Sequence, residues 1–457
     1  MKKVTKCLSL LLTFVVVMGL FTGCGSKDKK EDTTTNITDG KEDGNSSSKD
    51  SSDNGINASI TVQVEKDWVF YYREAADRVL AKNPNAKIDF KEVGSFDHLD
   101  VLDSTDVTNE DVADVFAFPA DRVFGLAQNE ALANLDAKKM ATDVGGFSDY
   151  DNGLGGNFNV DGNYLAFPLN IETLINFVNT SNAEAHGIDL SKTMEFSELG
   201  YRDMLVKVFD AWFGVAFTNS VGIELLGRDD SGKLYSDMTK DFSDLSKEQQ
   251  DLFEVLFNYW KKHNDASTDL WDKEAIGGYM DSEFTSGGNN AIRLEGPWAI
   301  AGLSEISNDG KDLDIMPINR VTVNGKPLNH WKSGWGLGVN ARIEDDKDKM
   351  ALAQAMIEEI VNTDYAIDLF KNTGKILENV DISVYEESDL GEMDKKAISA
   401  VIESYKNAPA RPLFTEWGSV WSTWENAVLS WSAVKPETAE EAYAEVKAAF
   451  EAMMTNF

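Results

Sequence analysis

From residue 59 onward, short runs typical of β-strands alternate with longer runs that have helical spacing. A β-rich run covers 59–64, and the apolar residues of 68–82 follow at intervals of three and four. Strand patterns return at 86–93 and 112–118, and a helical pattern covers 122–129. This order predicts a parallel sheet with helices packed on its faces.

A second set of alternating patterns occupies the rest of the chain. Strand patterns lie at 291–295 and 335–339, and helical patterns lie at 247–262, 273–284, 346–361, 366–370, 395–406, 420–431 and 438–454, with a further helix starting at residue 297. The 457 residues, 42% of them hydrophobic, suffice for one large core or two medium ones. Because no second linker separates the two sets, we predict two α/β lobes joined by ordered crossings.

The first 24 residues have the parts of a bacterial export signal. Three lysines among the first six residues precede an apolar run at 8–21, which is too short to span a bilayer. Phe21-Thr22-Gly23-Cys24 then resembles a lipobox, with Phe21 where Leu is usual, and Cys24 would carry the lipid. We therefore expect a lipoprotein on the extracellular face of the cell membrane, with an ordinary secreted protein as the alternative.

Residues 25–55 are almost entirely polar and include many Ser, Asp, Lys and Gly. Such a composition cannot compensate the entropy of folding, so a disordered tether is predicted. A flexible coil of about 30 residues spans roughly 30 Å, enough to hold a folded domain clear of a lipid surface.

The charge of the chain restricts its partners. With 43 Lys and Arg against 78 Asp and Glu, the formal net charge is −35. A surface of this sign repels phosphate backbones and anionic headgroups, so we expect no nucleic-acid partner. A neutral or cationic ligand is favoured.

The sequence contains no recognisable catalytic or metal-binding motif. Both cysteines lie in the first 24 residues and the four histidines are spread singly, so neither a metal site nor a cofactor is predicted. Phosphate-binding loops, nucleophile elbows and zinc-protease motifs are absent. Residues 149–153 and 229–232 lack the acidic spacing of a calcium loop and are interpreted as turns. We expect a binding protein, with a tethered glycosidase or lyase as the alternative.

Tryptophan is the distinctive residue of this chain. Of 11 Trp, seven lie from residue 298 onward: Trp298, Trp331, Trp335, Trp417, Trp421, Trp424 and Trp431. Trp424 and Trp431 share one helix face and are interpreted as core, whereas Trp298 follows Gly-Pro at a strand-to-helix junction that tends to present its side chain. Sugar rings stack on indoles, and their hydroxyls need planar polar partners, so this composition favours a neutral sugar site.

One segment resembles a known family. Residues 114–128, Asp-Val-Phe-Ala-Phe-Pro-Ala-Asp-Arg-Val-Phe-Gly-Leu-Ala-Gln, are similar to a segment of the maltodextrin-binding group of ABC-importer solute-binding proteins. In that family an aromatic residue, an Asp and an Arg enter the sugar groove. The resemblance implies this role for Phe118, Asp121 and Arg122, with Phe118 replacing the usual Trp.

The resemblance extends from about residue 59 to the C-terminus. Residues 164–172 match the first crossing between lobes, and residues 284–298 match the family signature. The site residues that the resemblance implies here are Glu172 and the pair Glu65 and Lys66 as hydrogen-bonding partners, Trp298 and Trp421 as stacking platforms, and Asp210 and Trp212 in the segment 210–217, where Phe217 is the alternative to Trp212.

The fold implied is α/β and periplasmic-binding-protein-like: two lobes, three hinge crossings and ligand in the cleft between them. Lobe 1 would comprise 56–170 plus about 333–376, and lobe 2 would comprise 171–332 plus about 377–457. Hinge closure on a maltodextrin would present the loaded form to the membrane subunits of an ABC permease. We expect a monomer. Two alternatives stay open. The ligand is another neutral oligosaccharide, or the protein is a surface lipoprotein that holds starch.

Overall fold

The computed structural model describes residues 55–229 and 231–457. The predicted export signal with Cys24, and the predicted tether up to residue 54, lie outside the described residues. Among the described helices, none combines the length and the apolar composition needed to cross a bilayer.

Strands and helices alternate along the chain, as their patterns predict. In chain order the strands are β1 Ser59–Val64, β2 Lys87–Glu92, β3 Val115–Pro119, β4 Asn159–Val160, β5 Asn163–Tyr164, β6 Phe167–Glu172, β7 Ile175–Asn179, β8 Met194–Glu195, β9 Met204–Leu205, β10 Gly227–Arg228, β11 Leu234–Tyr235, β12 Ile292–Glu295, β13 Leu313–Pro317, β14 Val321–Val323, β15 Lys326–Pro327 and β16 Ser333–Val339. The helices are α1 Val69–Lys82, α2 Ser95–Ser104, α3 Val123–Gln128, α4 Ala137–Val144, α5 Thr180–Ala185, α6 Ala211–Thr218, α7 Lys247–Asp265, α8 Ile276–Phe284, α9 Ile300–Ile306, α10 Lys347–Ile360, α11 Ala366–Thr373, α12 Ile382–Glu386, α13 Glu392–Lys406, α14 Gly418–Leu429, α15 Trp431–Val434 and α16 Ala439–Met454.

Two larger sheets organise these elements. The first has the order β2-β1-β3-β16-β6, and β1 pairs in parallel with both β2 and β3, which confirms the parallel sheet predicted for the start of the fold. The second has the order β13-β7-β12-β9, with β7 antiparallel to both of its neighbours. The chain changes sheets between β6 and β7, and it returns to the first sheet with β16. The exact lobe boundaries stay a prediction.

Capping residues fix several helix starts. A capping box joins Ser246 and Gln249 at the start of α7, and the Thr438 hydroxyl accepts the Glu441 N–H at the start of α16. Both helices begin where the spacing predicts. The predicted helix 420–431 is divided at Ser430 into α14 and α15.

The sequence patterns missed five helices, α2, α4, α5, α6 and α12, of which α2 bears on the site. In α2 the buried residues Ser95, His98, Leu99 and Leu102 have helical spacing, yet the helix follows a strand directly and has few apolar residues. Its first turn carries Phe96, which matters for the site described below.

The glycines of β16 leave room for aromatic rings to pack against the strand. An alanine Cβ at Gly336 would lie 2.5 Å from the Phe158 ring, and one at Gly338 would lie 2.7 Å from the Phe118 ring. Phe118 and Phe158 are both fully buried and pack edge-to-face, with ring centroids 5.9 Å apart. The strand therefore accepts aromatic rings directly against its backbone.

Gly336→Ala is expected to lower the free energy of unfolding by about 1–3 kcal/mol, because the added methyl overlaps a buried ring. Gly302→Ala is the matched control: this glycine lies inside α9 with open space around its Cα. Removing a helical glycine there is expected to stabilise the protein by about 0.5–1 kcal/mol. Urea denaturation of both variants measures the contrast, and equal effects would contradict it.

Candidate functional site

A cavity of about 840 Å³ lies where the ends of strands from both sheets meet. Glu65 follows β1, Asp121 follows β3, and Glu172 ends β6, all in the first sheet. Trp298 follows β12 of the second sheet. The aromatic residues of the wall are Trp68, Phe96, Trp212, Trp298, Trp335, Phe414, Trp417 and Trp421, and its charged residues are Glu65, Asp121, Arg122, Glu172, Lys375 and Arg411. Its volume is within the range of small-molecule sites.

The structure brings most of the predicted site residues to this cavity. Those that line it are Glu65, Asp121, Arg122, Glu172, Trp212, Trp298 and Trp421. Phe217, the alternative to Trp212, is fully buried in the core around the second sheet. The wall position in that segment therefore belongs to Trp212.

Phe118 does not reach the cavity, contrary to the expectation of a stacking surface there. Its ring is fully buried between Phe116 and Phe158, and its position on β3 opposes Gly336 of β16. Side chains alternate along a strand, so the next residue, Pro119, faces the cavity instead.

Lys66 and Asp210 also lie off the wall. Lys66 is exposed on the 3-10 turn Lys66–Trp68, and Trp68 of the same turn lines the cavity. Asp210 caps α6, where its carboxylate accepts the Trp212 N–H at 2.9 Å. Burial raises the pKa of Asp210. This residue therefore positions Trp212 without lining the cavity itself.

The Trp298 side chain is exposed at the cavity wall, as its position after Gly-Pro predicts. It is 52% exposed, and its indole lies across Gly296, where any Cβ would overlap the ring. The ring centroid is 6.4 Å from that of Trp212, at an interplanar angle of 45°. Trp424 and Trp431 are fully buried, which confirms their assignment to the core.

Four indoles form a contiguous group, here called the tryptophan cluster: Trp212, Trp331, Trp417 and Trp421. Neighbouring rings meet edge-on, with centroids 4.7 Å apart for Trp417 and Trp421 and 4.9 Å apart for Trp331 and Trp417. His330 stabilises the cluster, because its Nε2 donates to the Trp212 carbonyl at 2.9 Å. Burial lowers the pKa of His330 to about 3, so the imidazole is neutral at physiological pH.

Arg411 joins the tryptophan cluster to the first sheet. The Arg411 guanidinium lies 5.2–5.7 Å from the ring centroids of Trp212, Trp331 and Trp421. It pairs with Asp121 Oδ2 at 2.7 Å and donates to Ser333 Oγ at 2.8 Å. Within the described residues, Asp121 Oδ1 is buried and has no hydrogen-bond partner. The acceptor capacity of that oxygen is therefore not used by any described residue.

The first-sheet side of the cavity has its own aromatic group. Trp335 on β16 donates from Nε1 to Glu172 Oε2 at 3.1 Å, and the Phe96 ring meets its indole edge-on at 5.3 Å. Lys375 Nζ lies 4.8 Å from the Trp68 ring centroid and 5.0 Å from that of Trp335. Burial lowers the pKa of Lys375, and the carboxylates of Glu172 and Glu65 oppose that shift.

Sequence reasoning missed several wall residues. Trp68 could have been found, since it stands three residues after Glu65 and ends the same turn. Phe96 was missed together with α2. Lys375 and Arg411 lie in irregular segments, and no local pattern marks them.

The wall offers rings, hydrogen-bond acceptors and hydrogen-bond donors. Three carboxylates face three basic side chains, so the lining charges balance. In the part of the chain that the structure describes, no group of three or more His, Cys, Asp or Glu side chains could hold a metal ion. The arrangement can hold a polar ligand with flat apolar faces.

Comparison with known proteins identifies the fold through similar solved structures. No family model matches the sequence, and no curated protein matches it. Among solved structures, the maltose-binding periplasmic protein MalE from Listeria monocytogenes, in complex with maltose, has 19% identity and a TM-score of 0.65 over 88% of this chain and 99% of that chain. MalX from Streptococcus pneumoniae, in complex with maltopentaose, has 18% identity and a TM-score of 0.65 over 86% and 99%.

A third similar structure is the GacH receptor of Streptomyces glaucescens, described unliganded and with acarbose. It has 16% identity and a TM-score of 0.65, over 88% of this chain and 100% of that chain. These similarities establish the fold, which is the two-lobed, periplasmic-binding-protein-like α/β fold of maltodextrin-binding proteins. The expectation from the sequence resemblance is confirmed at this level.

Arg411→Met is expected to lower the free energy of unfolding and to change the native tryptophan emission. Arg411 is 8% exposed, and its loss leaves Asp121 without its ion-pair partner. Because the Asp121 side chain is 21% exposed, we expect about 2–3 kcal/mol, below the cost for a wholly buried pair. Urea denaturation and emission spectra of the folded variant measure the two effects.

Arg78→Met is the matched control for Arg411→Met. Arg78 pairs with Glu359 at 2.6 Å and lies 3.7 Å from the Tyr365 ring centroid, away from the cavity. It should lose stability as well but keep the native tryptophan emission. An unchanged emission in Arg411→Met would contradict the role assigned to Arg411.

Proposed function

We propose that this chain is an extracytoplasmic, lipid-anchored solute-binding protein that captures malto-oligosaccharides by hinge closure and delivers them to an ABC importer. One observation carries the proposal: a cavity of about 840 Å³ has tryptophan side chains from both sheets on its wall, next to charge-balanced hydrogen-bonding groups. Binding, without chemical conversion, is what this wall is suited to do.

The wall suits a sugar for two physical reasons. The apolar faces of pyranose rings stack on indoles, and Trp298 offers an exposed one. Sugar hydroxyls both donate and accept, and the wall contains carboxylates such as Asp121 and cations such as Lys375 for these roles. A net charge of −35 also favours an uncharged ligand over an anionic one.

Maltodextrin is the preferred ligand in this proposal. The three similar structures hold or are described with maltose, maltopentaose and acarbose, and their chains are matched over nearly their full lengths. The sequence resemblance at 114–128 and 284–298 supports the same class of ligand.

Another neutral oligosaccharide is the second candidate, and a specific observation favours it. Phe118 lies in the core, while Trp335 and Phe96 occupy the first-sheet side of the cavity. The stacking surfaces on that side therefore differ from those that the family resemblance implies. A xylo- or fructo-oligosaccharide would fit the same mechanism.

Titration of the soluble protein lacking residues 1–24 tests the ligand. Calorimetry and tryptophan fluorescence would follow binding of maltotriose, xylotriose, a fructo-oligosaccharide and glucose. We expect saturable binding of maltotriose. Binding of another trisaccharide alone would replace the ligand and keep the mechanism, and silence with every sugar would overturn the proposal. New reducing ends on incubation would indicate a glycosidase instead.

Anchoring and delivery need separate tests. Metabolic labelling with a fatty acid should mark the full-length chain and not Cys24→Ser. Co-purification of permease subunits with the loaded protein would support delivery. Retention of starch at the cell surface, without permease subunits, would support an adhesion role.

Trp298→Ala is expected to weaken maltotriose binding by about 1–3 kcal/mol, by analogy with other single stacking contacts. The residue is half exposed, so its removal should leave the melting temperature nearly unchanged. Tyr235→Ala is the control, because Tyr235 is 41% exposed and lies outside the cavity. Calorimetry measures both, and an unchanged affinity would remove Trp298 from the site.

A further inference from the structure

We propose that Phe96, Trp335 and Lys375 form a second sugar subsite on the first-sheet side of the cavity, which holds a neutral pyranose ring. The ring would stack on Phe96 and accept hydrogen bonds from the Lys375 ammonium. This inference rests on the proposed sugar-binding function and adds a subsite on the side of the cavity away from Trp298.

Phe96 is exposed although it is apolar. The side chain is 58% exposed and lines the cavity from the first turn of α2. Glu65 holds that turn in place, because Glu65 Oε1 accepts from the Ser95 hydroxyl at 2.7 Å and from the Ser95 N–H at 3.2 Å. The ring packs against Trp335 with centroids 5.3 Å apart and an interplanar angle of 74°. An aromatic ring that is held by one neighbour and otherwise largely exposed can serve as a stacking surface.

Lys375 differs from the other cations of the wall. Arg122 pairs with Asp103, and Arg411 pairs with Asp121. Among the described residues, Lys375 has no ion pair, and its ammonium lies over the rings of Trp68 and Trp335. An ammonium has three N–H donors, and a partly desolvated one is stabilised by any acceptor that a ligand brings. Sugar hydroxyl oxygens are such acceptors.

The surrounding carboxylates define the class of ligand. Glu172 Oε2 is held by Trp335 Nε1, which leaves Oε1 to accept a hydroxyl hydrogen. Glu172 accepts from the Trp335 indole over which Lys375 Nζ lies at 5.0 Å, and the Glu172 and Glu65 carboxylates both act to raise the pKa of Lys375, so two negative charges stand near one positive charge. A carboxylate-bearing sugar would be repelled, and a neutral ring with adjacent hydroxyls can accept from Lys375 and donate to Glu172.

The subsite also bears on ligand length. Trp298 belongs to the second-sheet side of the same cavity, and Phe96 belongs to the first-sheet side. A ligand that engaged both rings would reach across the cavity, which fits the oligosaccharide of the proposed function.

The test compares dissociation constants of Lys375→Met and Phe96→Ala with those of the wild type, using maltotriose and xylotriose as probes. Methionine retains an aliphatic stem over the two indoles and removes the three donors. We expect Lys375→Met to weaken binding about tenfold or more, and Phe96→Ala about three- to tenfold. Lys375→Arg keeps a cationic donor and should retain part of the affinity.

Each variant has a matched control outside the cavity. Lys371 lies four residues before Lys375, is exposed and pairs with Asp389. Lys371→Met removes this lysine. Phe70→Ala removes a ring that is 62% exposed on α1. Both should bind the probe as the wild type does. Melting temperatures of all variants separate loss of binding from loss of fold.

The outcomes are distinguishable. If the wild type binds neither trisaccharide and also fails to bind the fructo-oligosaccharide and glucose of the ligand titration, the proposed function and the subsite both fail. Binding of the fructo-oligosaccharide alone would keep the proposed function and overturn the subsite for a pyranose ring. If the wild type binds but Lys375→Met and Phe96→Ala stay within twofold of it, only the subsite is overturned. Tighter binding of a trigalacturonate than of either neutral probe, lost in Lys375→Met, would overturn the neutral-ring assignment.

Discussion

The strand β16 is the constraint on which the rest of the structure depends. It comes late in the chain and inserts antiparallel between β3 and β6, so an interior strand of the first sheet comes from a part of the chain that follows every strand of the second sheet. Its glycines let Phe118 and Phe158 pack against the backbone, and its Trp335 faces the cavity. Its Ser333 receives a hydrogen bond from Arg411. One strand therefore couples sheet closure, the aromatic layer and the cavity wall.

The cavity is organised by pairing charges with aromatic rings. Arg411 lies over three indoles and neutralises Asp121, which ties the tryptophan cluster to the first sheet. Lys375 lies over Trp68 and Trp335 and has no ion pair among the described residues. Cations placed over ring faces are stabilised without an adjacent anion. The indole rings thus stabilise these hydrogen-bond donors at the cavity wall, so their burial lowers the stability of the fold only a little.

The predicted site residues that reach the cavity came from two kinds of evidence. Trp298 was predicted from its place after Gly-Pro at a strand-to-helix junction, whereas the role of Asp121, which follows β3, was implied by the family resemblance at 114–128. Phe118 was misplaced because its neighbour in space, Gly336, is more than 200 residues away in the chain. Arg411 and Lys375 were missed for the same reason: their partners are distant in sequence.

The sequence by itself determined the alternation of strands and helices, the excess negative charge, the concentration of tryptophan and the resemblance at 114–128. These properties follow from periodicity and composition, which are local or additive. Only the tertiary structure decided which rings face the cavity, which cation stays without an ion pair, and which expected residue is buried instead. Those outcomes depend on β16 entering the first sheet from far along the chain, since packing partners are set by sheet order and not by spacing along the sequence.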